Sequence, residues 1–217
     1  MKIEDSSVVN LLHLAPHSTL AAHSLQMAGY PYASAVPNVL DEHHRPILLI
    51  SALAEHTRNL LADPRVSISI AAPDVANVQD GQRLTLVGDA ERVVASADLQ
   101  ARYLRYLPEA EQYLMLDFMF FRIHPKRLRY IGGVGRMGWV DGDAFDSFSS
   151  LSLAEESVLL QEAQAIVPND VTLLGIDAYG IDYLVDGFRK RRVLDGSSNH
   201  REELFRALSS TAWRDRD

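Results

Sequence analysis

The chain has 217 residues, which is enough for one large domain or for a domain with a smaller companion. Apolar residues make up 47% and charged residues 23%, a balance that excludes disorder over most of the length. The formal net charge of −8 argues against binding to nucleic acid or to an anionic membrane surface, and the lack of cysteine excludes disulfides, thiolate metal sites and a cysteine nucleophile.

The first residues predict a cytoplasmic protein that begins with a short helix. Two acids, Glu4 and Asp5, stand near the start and no long apolar run follows, so we expect neither a signal peptide nor a membrane-spanning helix. Residues 6–14 carry apolar side chains at helical spacing behind two serines, and Pro16 ends the predicted helix.

Six or seven strands with short connections are predicted up to residue 133. Strict alternation of apolar and polar residues marks the strands 65–71 and 83–93. The other predicted elements are strands at 18–24, 33–39 and 47–51, two strands within 117–133 that meet at a turn at Pro125, and helices at 54–62 and 97–114, the second broken at Pro108. This spacing favours a closed antiparallel barrel over alternating strands and helices.

A second unit is predicted after residues 140–153, a segment rich in Asp, Ser and Gly that is typical of a linker. Ser152 and Glu155 form a capping-box pattern that opens a helix through Ile166. The rest is predicted as two strands about Tyr179–Gly180, a basic third strand at 186–195 and a last helix with Leu204 and Leu208 on its apolar face. We interpret the Lys-Arg-Arg run at 190–192 as a solvated strand face, which is a weak case for nucleic acid.

The segment 50–70, ISALAEHTRNLLADPRVSISI, is the first candidate for chemistry. A helix start offers unpaired N–H groups and a positive dipole to an anion, and Ser51 and Thr57 can donate hydroxyl hydrogen bonds. Arg58 can bind two phosphate oxygens at once. Two interpretations are open: an anion cradle for a cofactor, or an ordinary solvated connection.

Three stretches in order, GYPYASAVPNVLDEHHRPILLISALAEHTRNLLADPRVSISI, RLTLVGDAERV and RYIGGVGRMGWV, resemble the flavin-binding split-barrel superfamily that includes pyridoxamine 5′-phosphate oxidase. Within it, the chain is most similar to the HugZ-like haem-utilisation branch, over roughly residues 20–142. The resemblance implies an α+β fold, mainly β: a split barrel (1–146) with a small C-terminal α/β domain (150–217). It also implies a homodimer with the cofactor between subunits, held through Ser51, His56, Thr57, Arg58, Asn59 and Arg83.

The Gly-rich stretch after residue 131 is the second candidate. Arg136 supplies a charge and Trp139 a stacking face, and HugZ-like sequences carry a similar Gly-Arg-Trp stretch. The alternative is a bulge or the exit from a domain. The stretch matches neither a dinucleotide fingerprint nor a Walker loop.

The histidines are the third candidate. The resemblance implies an iron-binding histidine towards the C-terminus, and His200 is the one candidate there, although a histidine just after an Asn cap is usually an exposed polar residue. Val171 stands where relatives carry the histidine of a Met-Asn-x-Asp-His signature. The remaining histidines lack metal-ligand spacing, and the adjacent His43 and His44 do not aim both rings at one ion from a helix or a strand.

Three functions follow, and no nucleophile–base constellation assigns catalytic residues. The favoured one is a haem-utilisation protein that binds haem and opens its ring oxidatively. The second is an FMN-dependent oxidoreductase of the pyridoxamine 5′-phosphate oxidase type, so the cofactor is either haem or FMN. The third is a cofactor-binding module without turnover. Neither nucleic acid nor a membrane is expected as a partner.

Overall fold

A computed structural model describes residues 3–73, 75, 77, 79–133, 135–209 and 213. The helices are α1 (Asp5–Leu14), α2 (Glu55–Ala62), α3 (Ala97–Tyr106), α4 (Gly142–Asp146), α5 (Leu153–Ala163) and α6 (Arg201–Ser209), with a 3-10 helix at Pro108–Met115. The strands are β1 (His17–His23), β2 (Pro31–Pro37), β3 (Val39–Leu40), β4 (Pro46–Ser51), β5 (Arg65–Ala71), β6 (Arg83–Val93), β7 (Phe118–Ile131), β8 (Met137–Asp141), β9 (Val171–Asp177), β10 (Gly180–Val185) and β11 (Phe188–Val193). Among the described residues, no helix has the length and apolar character needed to cross a membrane.

One curled antiparallel sheet carries the first eight strands, and it confirms the predicted split barrel. Its path runs β2-β1-β5-β6-β7-β4-β3, with β8 paired to β7. Because the path has two ends among the described strands, the closed barrel that the strand spacing favoured is wrong. The alternation of β5 and β6 is confirmed, since Ile68 and Leu86 are fully buried in the core while their neighbours face outward.

The two strands expected about Pro125 are a single strand, β7, with a bulge. The register between β6 and β7 shifts between Val87 and Gly88, so that Lys126 is left without a partner in the ladder. A proline is compatible with a strand at such a bulge. At Gly88 a Cβ atom would stand 2.2 Å from the His124 carbonyl oxygen, so only glycine allows the two strands to approach this closely.

The side of this sheet that points away from the barrel core, which we call the outward face, carries mainly small side chains. Cα pairing aligns two rows across six strands. The first row is Ala35, Thr19, Ser69, Thr85, Arg129 and Trp139, and the second is Ala33, Ala21, Ser67, Val87, Arg127 and Asp141.

The C-terminal residues form a second sheet, ordered β11-β10-β9, with a hydrophobic core of its own between this sheet and α5 and α6. Leu204 and Leu208 are buried in that core, as predicted. The helix expected to reach Ile166 ends at Ala163. The division at 146 and 150 stays a prediction.

Two expectations about polar segments are wrong. Residues 140–153 are not only a linker, because they contain α4, whose Phe145 packs into the barrel core at 1% exposure. The basic strand is not uniformly solvated either: the Arg191 side chain is 2% exposed and is paired with two buried carboxylates. The alternation of a strand sends Arg191 inward.

A buried polar seam joins the barrel side of the molecule to the C-terminal sheet. Its residues come from α1, the β3–β4 turn, α3, α5 and the C-terminal strands; they are His13, His44, Arg102, Tyr106, Glu156, Asp177, Asp182 and Arg191. We refer to this set as the polar seam.

Candidate functional site

The predicted residues around α2 gather on one side of the barrel. Ser51 ends β4, and its Oγ accepts a hydrogen bond from the Leu53 N–H at 3.2 Å. His56 Nδ1 lies 3.2 Å from Ser34 Oγ, and partial burial lowers the pKa of His56. These contacts hold both side chains close to the start of the helix.

Thr57 and Asn59 are fully buried, whereas Arg58 faces outward. Asn59 Oδ1 accepts from the Leu25 N–H at 3.0 Å, but Thr57 Oγ1 and Asn59 Nδ2 lack a hydrogen-bond partner within the described part of the chain. Buried polar atoms are normally paired. The residue before the helix, Ala54, gives no side-chain cap, so the first-turn amides stay open to an anion.

Arg83, Arg136 and Trp139 lie at the opposite end of the long strand β7. Ser51 pairs with the first residue of β7, whereas Arg83 pairs with the last one, Ile131. A strand of this length spans on the order of 40 Å. One copy of the chain therefore does not bring the α2 residues and this second group to one small ligand.

Within the second group, Trp139 is half exposed and carries two arginines on its ring. The guanidinium carbons of Arg127 and Arg129 lie 4.5 and 5.2 Å from the ring centroid. Arg83 Nη1 donates to the Gln79 carbonyl at 3.0 Å, and Arg136 is exposed. The result is a cationic, aromatic edge of the outward face.

His200 is exposed just before α6, and its backbone N–H donates to Ser198 Oγ at 3.1 Å. None of its described hydrogen bonds or ion pairs reaches another predicted site residue. Val171, at the position of the relatives' signature histidine, is 2% exposed in the C-terminal core. An apolar side chain there packs and does not bind metal.

A cleft of about 500 Å³ lies on the outward face, across β1, β5, β6 and the β7 bulge. Its apolar lining includes the outward-facing Ala21 and Val87 and the buried residues Ala22, Val66 and Gly88, and its polar lining residues are His23, Arg65, Ser67, Asp89 and Lys126. Sequence reasoning missed this group. Strand alternation could have predicted that His23 and Arg65 point outward, but the bulge that places Lys126 in the cleft has no local sequence signal.

The polar seam was missed as well, and its histidines correct the expectation that none shares a possible metal site. Burial lowers the pKa of His44 to about 4, and it also lowers the pKa of His13 although Asp177 and Asp182 oppose this. Burial alone would raise the pKa of Asp182, but Arg191 and His13 hold it well below its usual range. Tyr106 donates to Asp182 Oδ2 at 2.7 Å.

Comparison with known proteins gives a family and two curated relatives. The family described as Pyridoxamine 5′-phosphate oxidase matches residues 7–132. The chain is 40% identical over 117 residues to the chloroplastic heme oxygenase HOZ of Arabidopsis thaliana, which is 53% of this chain and 36% of that protein. It is 28% identical over 141 residues to the heme oxygenase HutZ of Vibrio cholerae, 61% of this chain and 80% of that one.

Two solved structures share the fold over nearly the whole length. A heme binding protein from Mycobacterium smegmatis is 24% identical with a TM-score of 0.63, covering 96% of this chain and 97% of that one. A protein of unknown function from Agrobacterium tumefaciens, Atu2129, is 22% identical with a TM-score of 0.74, covering 97% and 96%. The split barrel and the C-terminal sheet therefore occur together in other proteins.

Proposed function

Because the chain belongs to the pyridoxamine 5′-phosphate oxidase family, we propose that it is a haem-utilisation protein that binds haem in the outward-face cleft and takes part in oxidative haem breakdown. Both curated relatives are named as heme oxygenases, which supports haem as the ligand. Since the chain spans only 36% of the Arabidopsis protein, the activity itself is part of the proposal.

The observation that carries the proposal is the composition of the cleft. Haem is flat and largely apolar, it carries two carboxylates, and its iron accepts an imidazole nitrogen. The cleft offers an apolar floor, the His23 ring at the end of β1, and the cations of Arg65 and Lys126, which are exposed and are paired with the carboxylates of Asp63 and Asp89. Each chemical feature of haem therefore has a counterpart in the cleft.

Haem supplies the difficult chemistry when it is bound, because its iron reacts with oxygen once a reductant provides electrons. The residues of the chain bind and orient the ring. The cations would hold its carboxylates, Ala21 and Val87 would exclude water from one face, and a histidine would hold the iron. Arg127 and Arg129, stacked on Trp139, extend the positive charge along the same face.

Two histidines compete for the role of iron ligand. His200 is the ligand that the family resemblance implies, whereas His23 is the histidine that lines the cleft. We favour His23, because it is exposed and lies beside the cations that would hold the carboxylates. His17 is a matched control, since it is an exposed histidine on the same strand and the same side of the sheet.

A homodimer is part of the proposal. The small side chains of the outward face allow close approach of a second backbone, and residues from opposite ends of β7 would meet only through a second copy. In such a dimer, the uncapped N–H groups in the first turn of α2 would offer a second binding position for a haem carboxylate. Light scattering tests this: a monomer at all concentrations overturns the dimer, and Ser69→Arg should dissociate it.

Haem titration of the purified protein tests the binding. We expect one haem per chain with a shifted Soret band for the wild type and for His17→Ala, and a lost or strongly weakened shift for His23→Ala. A loss in His200→Ala instead would transfer the ligand role to that residue. No Soret change in the wild type overturns haem binding.

A second experiment separates breakdown from binding. Haem-loaded protein is mixed with a reductant in air, and loss of the Soret band is followed together with release of iron to a chelator. Stable haem under these conditions leaves a binding module and overturns the enzymatic part.

A parallel titration with FMN is expected to give no protein-bound flavin, because neither curated relative is named for one. The cytoplasmic location stays a prediction, and the Arabidopsis relative is chloroplastic.

A further inference from the structure

Three buried donor atoms from separate parts of the chain meet in the polar seam. His13 lies in the last turn of α1, His44 in the turn between β3 and β4, and Asp177 at the end of β9. His13 Nε2 lies 3.1 Å from His44 Nδ1 and 3.5 Å from Asp177 Oδ2, and the three donor atoms all lie within 4.8 Å of one another. None of the three residues is more than 5% exposed.

The other nitrogen of each ring is held by an acceptor. His44 Nε2 lies 2.9 Å from the Ser149 carbonyl oxygen, and His13 Nδ1 lies 2.9 Å from Asp182 Oδ2. Because a carbonyl and a carboxylate only accept, we assign the ring hydrogens to these two nitrogens. The inner nitrogens, 3.1 Å apart, then face each other with bare lone pairs, and either a metal ion or a shared proton between them would stabilise this arrangement.

The backbone at His44 is held in an uncommon conformation. Its φ angle is 62°, in the left-handed region that side chains with a Cβ rarely adopt. Asp41 fixes the turn, because its Oδ1 accepts from the N–H groups of His43 and Arg45, each at 2.9 Å. A strained backbone that is fixed from both sides is typical of positions where a side chain must be aimed.

Distances and ligand types favour an ion of the zinc class. In a tetrahedral zinc site with bonds of about 2.0–2.2 Å, ligand atoms stand about 3.3–3.6 Å apart. Two of the three pairs are close to this, at 3.1 and 3.5 Å, whereas His44 and Asp177 form no ion pair and lie within the wider limit of 4.8 Å, so these two side chains must approach each other when the ion binds. Two imidazoles and one carboxylate suit zinc better than calcium or magnesium, which prefer oxygen. The acceptors on the outer nitrogens match the usual second layer of a histidine–metal site.

Two carboxylates and two guanidinium groups surround the cluster. Arg189 donates to the His13 carbonyl oxygen. Arg191 donates to Asp177 Oδ2 and to Asp182 Oδ1, each at 2.9 Å. Asp177 Oδ2 keeps a second lone pair after this contact. A surface recess of about 310 Å³ is lined in part by Asn10 and by Arg191, the residue that also contacts Asp177.

We propose that His13 Nε2, His44 Nδ1 and Asp177 Oδ2 bind one zinc-class divalent ion, which ties α1 and the β3–β4 turn to the C-terminal sheet. The described residues supply three ligands, and water takes the fourth position. The ion is structural and lies apart from the haem cleft, so the proposal is independent of haem binding.

Metal titration of the haem-free, chelator-treated protein tests it. We expect one zinc per chain by elemental analysis after dialysis, a higher melting temperature with zinc, and visible d–d absorption when cobalt replaces zinc. This measurement uses the wild-type protein alone, so its result does not depend on whether a variant folds. Failure of the wild type to bind zinc or cobalt overturns the proposal and leaves a shared proton between the two histidines.

Variants locate the ion. Asp182→Asn changes a residue that holds the outer nitrogen of His13, and it should lower zinc affinity by about 10- to 100-fold. His44→Gln removes a ligand itself, so it should lower zinc affinity by at least as much. His43→Gln is the matched control, because His43 is the exposed neighbour and should bind zinc like the wild type. Circular dichroism checks that each variant folds. Equal zinc binding by folded His44→Gln and wild type places the ion elsewhere and refutes the assignment.

Discussion

The outward-face cleft and the polar seam use the same side-chain types in opposite environments. His23, Arg65 and Lys126 line an open cleft, where water screens their charges and an incoming ligand can reach them. His13, Asp177 and Arg191 lie in the seam with side chains at most 7% exposed, each bound to another charged group. The comparison teaches that burial decides whether such a group can meet a ligand from solvent or instead ties parts of the fold together.

Substitutions in the polar seam should therefore lower the free energy of unfolding, whereas substitutions of charges in the cleft should mainly weaken haem binding. Removing a charge from the seam leaves its partner buried and uncompensated, which is costly. Removing a charge from the cleft leaves solvated partners, which costs little. Four substitutions follow, in order of decreasing expected effect on stability. The first and the last test this contrast directly, and the two between them test the bulge of the cleft and a helix that leads into the seam.

Glu156→Gln should destabilise the protein most, by about 3–5 kcal/mol. The Glu156 carboxylate is 1% exposed and binds both Arg102 and Arg105, and it also accepts from the Ile176 N–H. Urea unfolding measures the loss. Glu162→Gln, which breaks an exposed pair with Arg201, is the control and should cost at most about 1 kcal/mol. An equal loss in the two variants would contradict the role of burial.

Gly88→Ala should cost about 1–3 kcal/mol, because the new Cβ atom meets the His124 carbonyl and must displace the β7 bulge. Since the bulge shapes the cleft, haem affinity should fall in the same variant. Unfolding and haem titration measure the two effects. Ser67→Ala changes the same cleft without a clash and should stay within about 0.5 kcal/mol of the wild type. A Gly88→Ala protein with unchanged stability would show that the strands can separate freely.

Ser96→Ala should cost about 1 kcal/mol, since the Ser96 side chain caps α3 by accepting from the Leu99 N–H at 3.2 Å. This helix carries Arg102 into the seam, so the loss tests how far the seam depends on a local capping contact. Thermal or urea unfolding gives the value. Ser69→Ala on the outward face serves as the control, and a loss of equal size there would remove the capping explanation.

Arg65→Ala should have the smallest effect on stability, with an unchanged melting temperature, because the Arg65–Asp63 pair is exposed. Haem binding should weaken by about two- to fivefold, the amount expected for one solvated charge contact. Titration beside Arg92→Ala, an exposed arginine outside the cleft, isolates the contact. Identical affinities for both variants would remove Arg65 from the site.

Much of the fold was predictable because the relevant signals are local. The alternation of β5 and β6, the capping box of α5 and the hairpin of β9 and β10 each depend on residues within a few positions. The same local rules failed at Pro125, where they predict a turn and the structure has a bulge. Turn and bulge share residue preferences, and the partner strand decides between them.

The candidate site was predictable only in part. Family motifs pointed to the α2 segment, and the structure does bury Thr57 and Asn59 there with unpaired polar atoms. The cleft residues and the proposed metal ligands were not predicted, because each is a single residue on a separate element. The cleft residues come from different strands, and His13, His44 and Asp177 come from a helix, a turn and a strand. His23 and Lys126, which line one cleft, are about a hundred positions apart in the chain.

By itself the sequence determined the α+β class, the order of most strands and helices, and the membership of a split-barrel family, because periodicity and motifs are properties of neighbouring residues. Only the tertiary structure decided which polar side chains are buried and which meet. His13 and Asp182 are 169 positions apart and share a hydrogen bond of 2.9 Å, and only long-range strand pairing and helix packing could bring them together. The environment of a charged group, and hence its role, is set by that packing.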